Sequence, residues 1–239
     1  QLIFMNNLSV VLCTYNEVNF IEQTIVKLRE DLPGLEIIIV DDNSKDGTKD
    51  ILKKFESVSN IKIIYRLKSK GLASAFCRGL IETSRPNVGW IDTNMSELTP
   101  RFSEMNQMLT SNNDLIILSR YVNGGGDQRD LLRVYCSKYL NLLCRLILSN
   151  KIKDYTSSIF IMKKAIINEA TLLGYGHGEF FIEFLYQVEK KGFNIKEIPY
   201  VQKQDADITN SKSAPNIFKY FLLGFFYVIR IFFTRFRRI

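Results

Sequence analysis

The chain has 239 residues, of which 46% are hydrophobic, so the composition excludes a disordered polypeptide and supports one large domain. The formal net charge is +7, but six positive charges and no acidic residue lie in residues 208–239, which argues against a nucleic-acid partner. One histidine and four scattered cysteines leave little material for a zinc site or a histidine-based triad. The cysteines are predicted to be reduced, buried thiols.

In chain order, short apolar runs alternate with longer helical patterns. Continuous apolar strands separated by helices predict an α/β fold, in which a mostly parallel sheet carries helices on both faces. Asn16 and Asp46 are predicted to cap the first two helices. Strands are predicted over residues 8–13, 35–40, 61–65, 88–91 and 115–118, and helices over residues 18–32, after residues 43–48, over 71–83 and over 129–148.

Polar segments follow four of the predicted strands: TYNE, DDNS, DTN and SRYVNGGG. In open α/β sheets, ligands bind beyond the carboxyl ends of the strands. One polar turn would be unremarkable, but four that converge on one edge of the sheet predict a ligand site there.

The motifs of three common enzyme classes are missing at their expected positions. TYNEVN follows the first strand in place of G-x-G-x-x-G, which argues against a dinucleotide site, and no G-x-S-x-G occurs. The glycines at 124–126 lack the lysine and hydroxyl residue of a phosphate loop. They are predicted to form a mobile loop, because ordering three glycines costs much conformational entropy.

Seven segments occur in the order found in family 2 glycosyltransferases: SVVLCTYNE, IIIVDDNSKDGT, GLASAFCRGL, Asp92-x-Asn94, SRYVNGGG, DYTSSIF and FFIEFLYQVEKKGFNIKEIPY. From about residue 8 to residue 212 the chain resembles this family, and most closely its polyprenyl-phosphate and dolichol-phosphate mannose synthase branch. The resemblance implies a GT-A-type α/β fold with a catalytic domain over residues 1–212. The remaining residues, 213–239, are expected to form a basic amphipathic helix.

By this resemblance, the nucleoside of a GDP- or UDP-sugar is held after the first two strands. A carboxylate suits this purpose because it accepts hydrogen bonds from ribose hydroxyls. The DDNS segment also fits the turn chemistry of a helix start, and both roles can hold together. The residues implied are Thr14, Tyr15, Glu17, Asp41 and Asp42.

The family uses an Asp-x-Asp pair to hold Mg²⁺ or Mn²⁺ against the diphosphate of the donor. Asp92 matches the first carboxylate, and Asn94 replaces the second with an amide. An amide oxygen still coordinates a hard cation, so the resemblance implies a weakened metal site, with Glu97 as a further carboxylate. The alternative is that Asp92 and Asn94 only form a turn after the strand.

On the acceptor side, the resemblance assigns Arg120, Arg133 and Ser137 to a phosphate clamp. A phosphate monoester is already an anion at neutral pH and needs no protein base to attack the anomeric carbon. Together with Asp92, these residues imply an inverting hexosyltransferase. It would move mannose or glucose to polyprenyl phosphate.

Two other readings remain open. A transferase acting on a sugar hydroxyl of a glycan or glycolipid would need a base, for which Glu179 is the candidate. A non-catalytic protein that binds sugar nucleotides would have a decayed metal site. In the lipid-phosphate branch, the late motif contains a glutamate, which Glu183 matches. Lys212 matches a lysine of that branch that helps to close a loop over the phosphates. His177 lies between two glycines and is predicted to be a loop residue.

The C-terminal segment NIFKYFLLGFFYVIRIFFTRFRRI has a longest uncharged run of about ten residues, shorter than the roughly 20 that span a bilayer. At 100° per residue, Lys219, Arg230 and Arg237 share one helical stripe with Thr234 beside it. The stripe favours a helix in the membrane interface with arginines on anionic headgroups, at the cytoplasmic face. A core or dimer helix and a tilted span are the alternatives. The first residues, QLIFMNN, do not look like a signal peptide.

Overall fold

The computed structural model describes residues 5–109, 112–157, 159–204 and 217–237, with side chains of the last range described from residue 221 onward. The strands are β1 Leu8–Thr14, β2 Glu36–Asp41, β3 Ile61–Tyr65, β4 Asn87–Trp90, β5 Leu115–Ser119, β6 Gly126–Asp127, β7 Phe160–Lys163, β8 Ile195–Pro199 and β9 Val201–Gln202. The helices are α1 Ile21–Asp31, α2 Thr48–Lys53, α3 Leu72–Glu82, α4 Arg101–Met108, α5 Leu131–Ile147, α6 Glu179–Lys190 and α7 Ile217–Phe236. Two short 3-10 helices cover Ser96–Leu98 and Lys164–Asn168.

The predicted strands and helices are confirmed to within a few residues, but the predicted cap of α1 is wrong. Asn16 adopts a left-handed backbone conformation (φ 57°), and its side chain accepts a hydrogen bond from the Lys45 backbone. Phe20 therefore precedes the helix without a side-chain cap. Asp46 lies one residue before the Gly47 cap position of α2, and its carboxylate accepts a hydrogen bond from the Thr48 N–H.

Seven strands form one sheet in the order β3-β2-β1-β4-β7-β5-β8. All neighbours run parallel except β7, which is antiparallel to both β4 and β5. The prediction of a mostly parallel sheet is thus confirmed. The reversed strand brings the start of β7 to the same edge as the ends of β1, β2, β4 and β5, so all the polar segments share one rim.

Side chains alternate across the sheet and build a core on each face. Leu12 and Ile39 face α1, α2 and α4, whereas Val11 and Val40 face α3, α5 and α6. In the second core, the Trp90 ring stacks between Phe76 and Phe180, with centroid distances of 4.8 and 5.5 Å. This stack joins α3, β4 and α6 directly beneath the rim.

The segment around the three glycines is ordered, contrary to the prediction of a mobile loop. β6 pairs with β9 in a two-stranded parallel sheet, and the Gly126 N–H donates to the Tyr200 carbonyl at 3.0 Å. A Cβ at Gly125 would stand 2.7 Å from the Arg120 carbonyl oxygen. The glycine is needed because the backbone folds back closely on itself there.

Helix α7 packs against α5 and α6, and the part of its polar stripe formed by Arg230 and Thr234 faces the protein. The interpretation that this stripe contacts lipid headgroups is wrong for Arg230, which is 8% exposed and donates from Nε to Glu183 at 2.6 Å. Thr234 is 2% exposed, and Arg237 also pairs with Glu183. The arginines of a helical stripe can pair with a buried glutamate just as they can pair with an anionic lipid headgroup.

The outer face of α7, called here the aromatic face, is apolar. Its exposed side chains are Phe221, Leu222, Phe225, Phe226, Phe232, Phe233 and Phe236. On the inner side, Tyr227 approaches Gly178 so closely that a Cβ there would stand 2.5 Å from the phenol oxygen. Across the ranges that the structure describes, no helix has the length and apolar character of a membrane span.

Candidate active site

The donor end of the rim begins where β1 and β2 end side by side. Thr14 lies opposite Asp41 in the parallel register, and its hydroxyl donates to Asp41 Oδ2 at 3.0 Å. Asp41 is fully buried and also accepts hydrogen bonds from the backbone N–H and the hydroxyl of Ser44. Its carboxylate therefore holds the turn that follows β2.

Asp42 forms a buried ion pair that the sequence did not indicate. Both of its oxygens accept hydrogen bonds from Arg66, at 2.6 and 2.7 Å, and Oδ2 also accepts the Gly71 N–H at 2.8 Å. Arg66 in turn donates to Ser74 on α3. Asp42 thus fixes the loop between β3 and α3 against the rim, and the arginine after β3 was its only signal in the sequence.

Tyr15 presents the exposed surface of this end. Its side chain is 40% exposed, and the Lys70 ammonium lies 4.5 Å from the ring centroid. The Glu17 N–H donates to the Thr48 hydroxyl at 2.8 Å, which ties the TYNE segment to α2. An exposed aromatic ring beside a lysine can accept a planar base and an anion together.

Asp92 lies in the middle of the rim. Its carbonyl accepts the Met95 N–H, so the DTN segment does form a turn, with Asn94 and Glu97 exposed at its surface. Burial, then the Asp42 and Asp92 carboxylates, raise the pKa of the Cys13 thiol. Asp92 therefore lies within electrostatic reach of the donor end of the rim.

No cluster of three or more acidic, histidine or cysteine side chains able to hold a metal occurs in the described ranges. Asp92 and Asn94 nevertheless offer a carboxylate and an amide oxygen on one turn. Mg²⁺ is usually held by one or two carboxylates together with substrate phosphates and water. These two residues therefore fit a cation that is shared with a diphosphate, and they do not fit a metal held by protein alone.

Arg120 lies at the other end of the rim in a buried ion pair. Its side chain is 3% exposed and donates to both oxygens of Asp154, at 2.8 and 2.7 Å. Further hydrogen bonds go to Gln202 and Thr156. Burial lowers the pKa of Arg120, but the Asp154 carboxylate outweighs it and raises the pKa. With its donors engaged, Arg120 fixes the surrounding loops.

Ser137 is brought next to this pair by α5. Its hydroxyl accepts a hydrogen bond from the Tyr121 phenol at 2.9 Å and lies 3.3 Å from the Thr156 hydroxyl, which Arg120 also contacts. Arg133 is one helical turn earlier on the same face, where its Nε pairs with Asp130 at 3.1 Å. Arg133 is 21% exposed, so its cation is more accessible than that of Arg120.

The structure adds Arg129 to this group, a residue that sequence reasoning missed. It donates to both oxygens of Asp127, at 2.9 and 2.7 Å, and its side chain is 16% exposed. Its position four residues before Arg133 was the available signal. The acceptor end thus carries two partly exposed arginines above a buried one.

The two glutamates of the late motif do not join this group of arginines. Glu183 is paired with Arg230 and Arg237 from α7. Glu179 accepts the His177 N–H at 2.9 Å and lines a cavity between α6 and α7. Lys212 lies outside the described residues.

The strand order places Asp92 between the two ends of the rim. β4, which Asp92 follows, lies between β1 of the donor end and the β7–β5 pair of the arginine end. Tyr200 follows β8 and lies beside the Arg120 pair, where it donates to Gln202. Burial and the Asp154 carboxylate raise the pKa of this phenol, and Arg120 opposes the rise.

Comparison with known proteins identifies relatives of this chain. Residues 9–171 match the family described as Glycosyl transferase family 2. The chain is 29% identical over 217 residues to a protein of Pyrococcus furiosus named dolichol-phosphate mannosyltransferase, a match that covers 89% of this chain and 61% of that protein. It is 25% identical over 201 residues to the polyprenol monophosphomannose synthase of Mycolicibacterium smegmatis, covering 80% of this chain and 75% of the relative.

A solved structure resembles the fold over nearly the whole chain. It is glucosyl-3-phosphoglycerate synthase from Mycobacterium tuberculosis in complex with Mn²⁺, uridine diphosphate and phosphoglyceric acid, with a TM-score of 0.73 and 16% identity. The match covers 98% of this chain and 80% of that one. The GT-A-type α/β fold expected from the sequence is thereby confirmed.

Proposed function

We propose that this chain, which belongs to glycosyl transferase family 2, transfers a hexose, mannose or glucose, from a nucleotide sugar to polyprenyl phosphate with inversion. The observation that carries the proposal is the acceptor end of the rim. Arg133 lies one helical turn before Ser137, and Arg129 adds a second partly exposed guanidinium close to the start of the same helix. The names of the two relatives support the same acceptor class.

The donor end supplies binding and orientation. Tyr15 offers a ring for the base, and the Asp42–Arg66 pair holds the loop beside it. Asp92 and Asn94 would hold Mg²⁺ or Mn²⁺ together with the diphosphate, and the cation, when bound, offsets the negative charge of the leaving nucleoside diphosphate. Lys70 adds a positive charge close to Tyr15.

The acceptor end orients an anion. A lipid phosphate carries its own nucleophilic oxygen, so the chain must position it and offset its charge. Arg133 and Arg129 have partly exposed cations for this, and Arg120 acts by positioning Thr156 and Ser137. The buried Arg120–Asp154 pair keeps these groups in place before the acceptor arrives.

Membrane association at the cytoplasmic face completes the proposal, with the aromatic face of α7 as the contact. A second apolar strip lies on the adjacent α5, formed by the exposed Leu131, Leu132, Tyr135, Tyr139, Leu142 and Leu146. Lys138 and Arg145 lie next to this strip, and α5 contains no acidic residue. Apolar faces edged by basic residues suit anionic lipid surfaces.

A donor screen tests the transfer. Purified protein is incubated with polyprenyl phosphate and a panel of GDP- and UDP-sugars, with Mg²⁺, Mn²⁺ or chelator. We expect a lipid-linked hexose, formed at least tenfold more slowly by Arg133→Gln and at an unchanged rate by Arg29→Gln, an exposed arginine of α1. No lipid product with any donor would refute the acceptor assignment. Transfer to a sugar hydroxyl that is lost in Glu179→Gln would establish the alternative function.

Vesicle sedimentation tests the membrane contact. Phe225 and Phe232 are exposed on the aromatic face and lie outside the α6–α7 cavity. We expect Phe225→Ser with Phe232→Ser to reduce binding to anionic vesicles by at least about 100-fold, because each buried phenylalanine contributes about 1.5–3 kcal/mol. Unchanged binding by this double variant would show that α7 does not face the lipid.

A further inference from the structure

A cavity of about 560 Å³ lies between α6 and α7. Its volume is within the range of small-molecule sites. Tyr175, Glu179 and Glu183 line it from the α6 side, and Arg230 and Thr234 from α7. None of these residues belongs to the donor end or the arginine end of the rim described above.

Two buried polar atoms of the cavity residues have no partner. Arg230 Nη2 and Thr234 Oγ1 make no hydrogen bond within the described ranges, although the two residues are only 8% and 2% exposed. They are four positions apart and share one face of α7. Leaving a buried polar group without a partner is unfavourable, so a ligand that offers acceptor oxygens would meet unused hydrogen-bonding capacity here. A guanidinium nitrogen can only donate, which excludes a purely donating ligand.

The unused donor of Arg230 favours an oxyanion. Glu183 is already engaged by both Arg230 and Arg237. Glu179 offsets the remaining positive charge of the lining, but its carboxylate accepts the His177 N–H at the start of α6. The Arg230 guanidinium lies 4.2 Å above the Tyr175 ring and keeps one nitrogen without a partner in the described ranges, and guanidinium groups recognise carboxylate and phosphate oxygens.

Aromatic residues line the rest of the cavity. Phe226, Phe233 and Phe236 line it and are also 51%, 72% and 82% exposed, so the cavity opens onto the aromatic face. A free inorganic anion would gain nothing from these rings, whereas an apolar chain would bury them.

We propose that this cavity binds an anionic amphiphile. Its oxyanion head accepts hydrogen bonds from Arg230 and Thr234, and its chain lies along Phe226, Phe233 and Phe236. The natural source of such a ligand would be a membrane, so this part of the inference rests on the membrane association proposed above. It does not require glycosyl transfer to occur.

The test is isothermal titration calorimetry of the full chain with decyl phosphate, below its micelle concentration and without donor sugar. We expect decyl phosphate to bind at least tenfold more tightly than either decanol or inorganic phosphate. Thr234→Val keeps the side-chain shape and removes the hydroxyl, so decyl phosphate should bind about tenfold more weakly, with decanol unaffected. The melting temperature should not fall, because an unpaired buried hydroxyl is removed.

Matched variants separate this cavity from other sites. Arg235→Gln removes an exposed charge of the same helix and should leave decyl phosphate binding unchanged. Phe233→Ser should weaken decyl phosphate without changing the affinity for inorganic phosphate. Equal affinities for decyl phosphate and inorganic phosphate would overturn the proposal that the ligand is an amphiphile. Binding that is lost in Arg133→Gln and unchanged in Thr234→Val would assign decyl phosphate to the rim, which overturns the cavity site while leaving the proposed function intact.

Discussion

The chain holds arginines in two clusters, one at the acceptor end of the rim and one beneath α7. At the rim there are as many carboxylates as arginines: Arg120 pairs with Asp154, Arg129 with Asp127 and Arg133 with Asp130, and Asp127 also lies 3.7 Å from Arg120. Beneath α7, Arg230 and Arg237 share Glu183, and Arg230 retains an unpaired donor. The balanced cluster can act as a preformed scaffold, whereas in the unbalanced one a single carboxylate binds two arginines.

The largest effect should come from breaking the most buried pair of the balanced cluster. Asp154→Asn removes the closest counter-charge of the buried Arg120 and leaves it only Asp127, 3.7 Å away and also bound by Arg129. Removing one partner of a buried pair costs about 3–5 kcal/mol. Urea unfolding followed by circular dichroism measures this loss. Asp50→Asn, which removes the exposed partner of Lys53, is the control and should leave the midpoint unchanged. Equal midpoints for the two variants would contradict the scaffold role.

The next effect should come from the unbalanced cluster and should stay local. Glu183→Gln leaves both Arg230 and Arg237 without a carboxylate, so we expect α7 to loosen by about 1.5–3 kcal/mol while the sheet remains folded. Hydrogen exchange measures this as faster exchange of the α7 amides. Glu22→Gln, at an exposed ion pair on α1, should change none of them. If α7 amides exchanged at the original rate, Glu183 would not be the anchor of this helix.

The stability that the balanced cluster contributes should decrease in acid. Burial raises the pKa of Asp127, but hydrogen bonds from Arg129 outweigh it, and the net pKa lies below the unfolded value of 3.8. Its stabilising contribution is therefore complete well above 3.8 and is lost as the pH falls through the lowered pKa. Arg129→Gln should lose less stability than the original chain between about pH 5 and pH 3. Urea midpoints across this range measure it, and parallel pH profiles would contradict the pairing.

The smallest effect concerns His177 at the edge of the α7 contact. Burial lowers the pKa of this imidazole below 6.5, and Glu179 partly opposes the shift. The folded state favours the neutral ring, so its contribution is present above 6.5 and is lost as the pH falls through the folded pKa. Hydrogen exchange of α7 at pH 7 and at pH 5.5, after correction for intrinsic rates, should show weaker protection at the lower pH. His177→Gln should remove that difference, and an undiminished difference would assign it to another group.

Much of the fold could be predicted because the information is local. The apolar runs of β2 and β5 are continuous, and those of β1 and β3 are each interrupted by one polar residue. These strands are therefore evident from the sequence, and the polar segments after them locate the rim. β7 was missed because its four residues, FIMK, resemble any short apolar run. Its antiparallel insertion between β4 and β5 depends on partners far away in the chain.

The candidate site shows where sequence reasoning ends. Arg120 after β5 is visible as a charged residue at a rim, but its burial depends on Asp154, 34 residues later. The stripe containing Arg230 was found from helical periodicity. Periodicity does not tell which side faces the protein, because the deciding carboxylate, Glu183, lies 47 residues away.

Trp90 is the only tryptophan of the chain, and its position makes it an optical reporter. The indole is 3% exposed and lies between the rings of Phe76 and Phe180. Trp90 precedes Asp92 by two residues, and Phe180 directly follows Glu179 in α6. Occupation of the rim or displacement of α6 would change the environment of a single fluorophore. The emission of the unlabelled protein can therefore time ligand arrival directly, without a dye or an introduced cysteine.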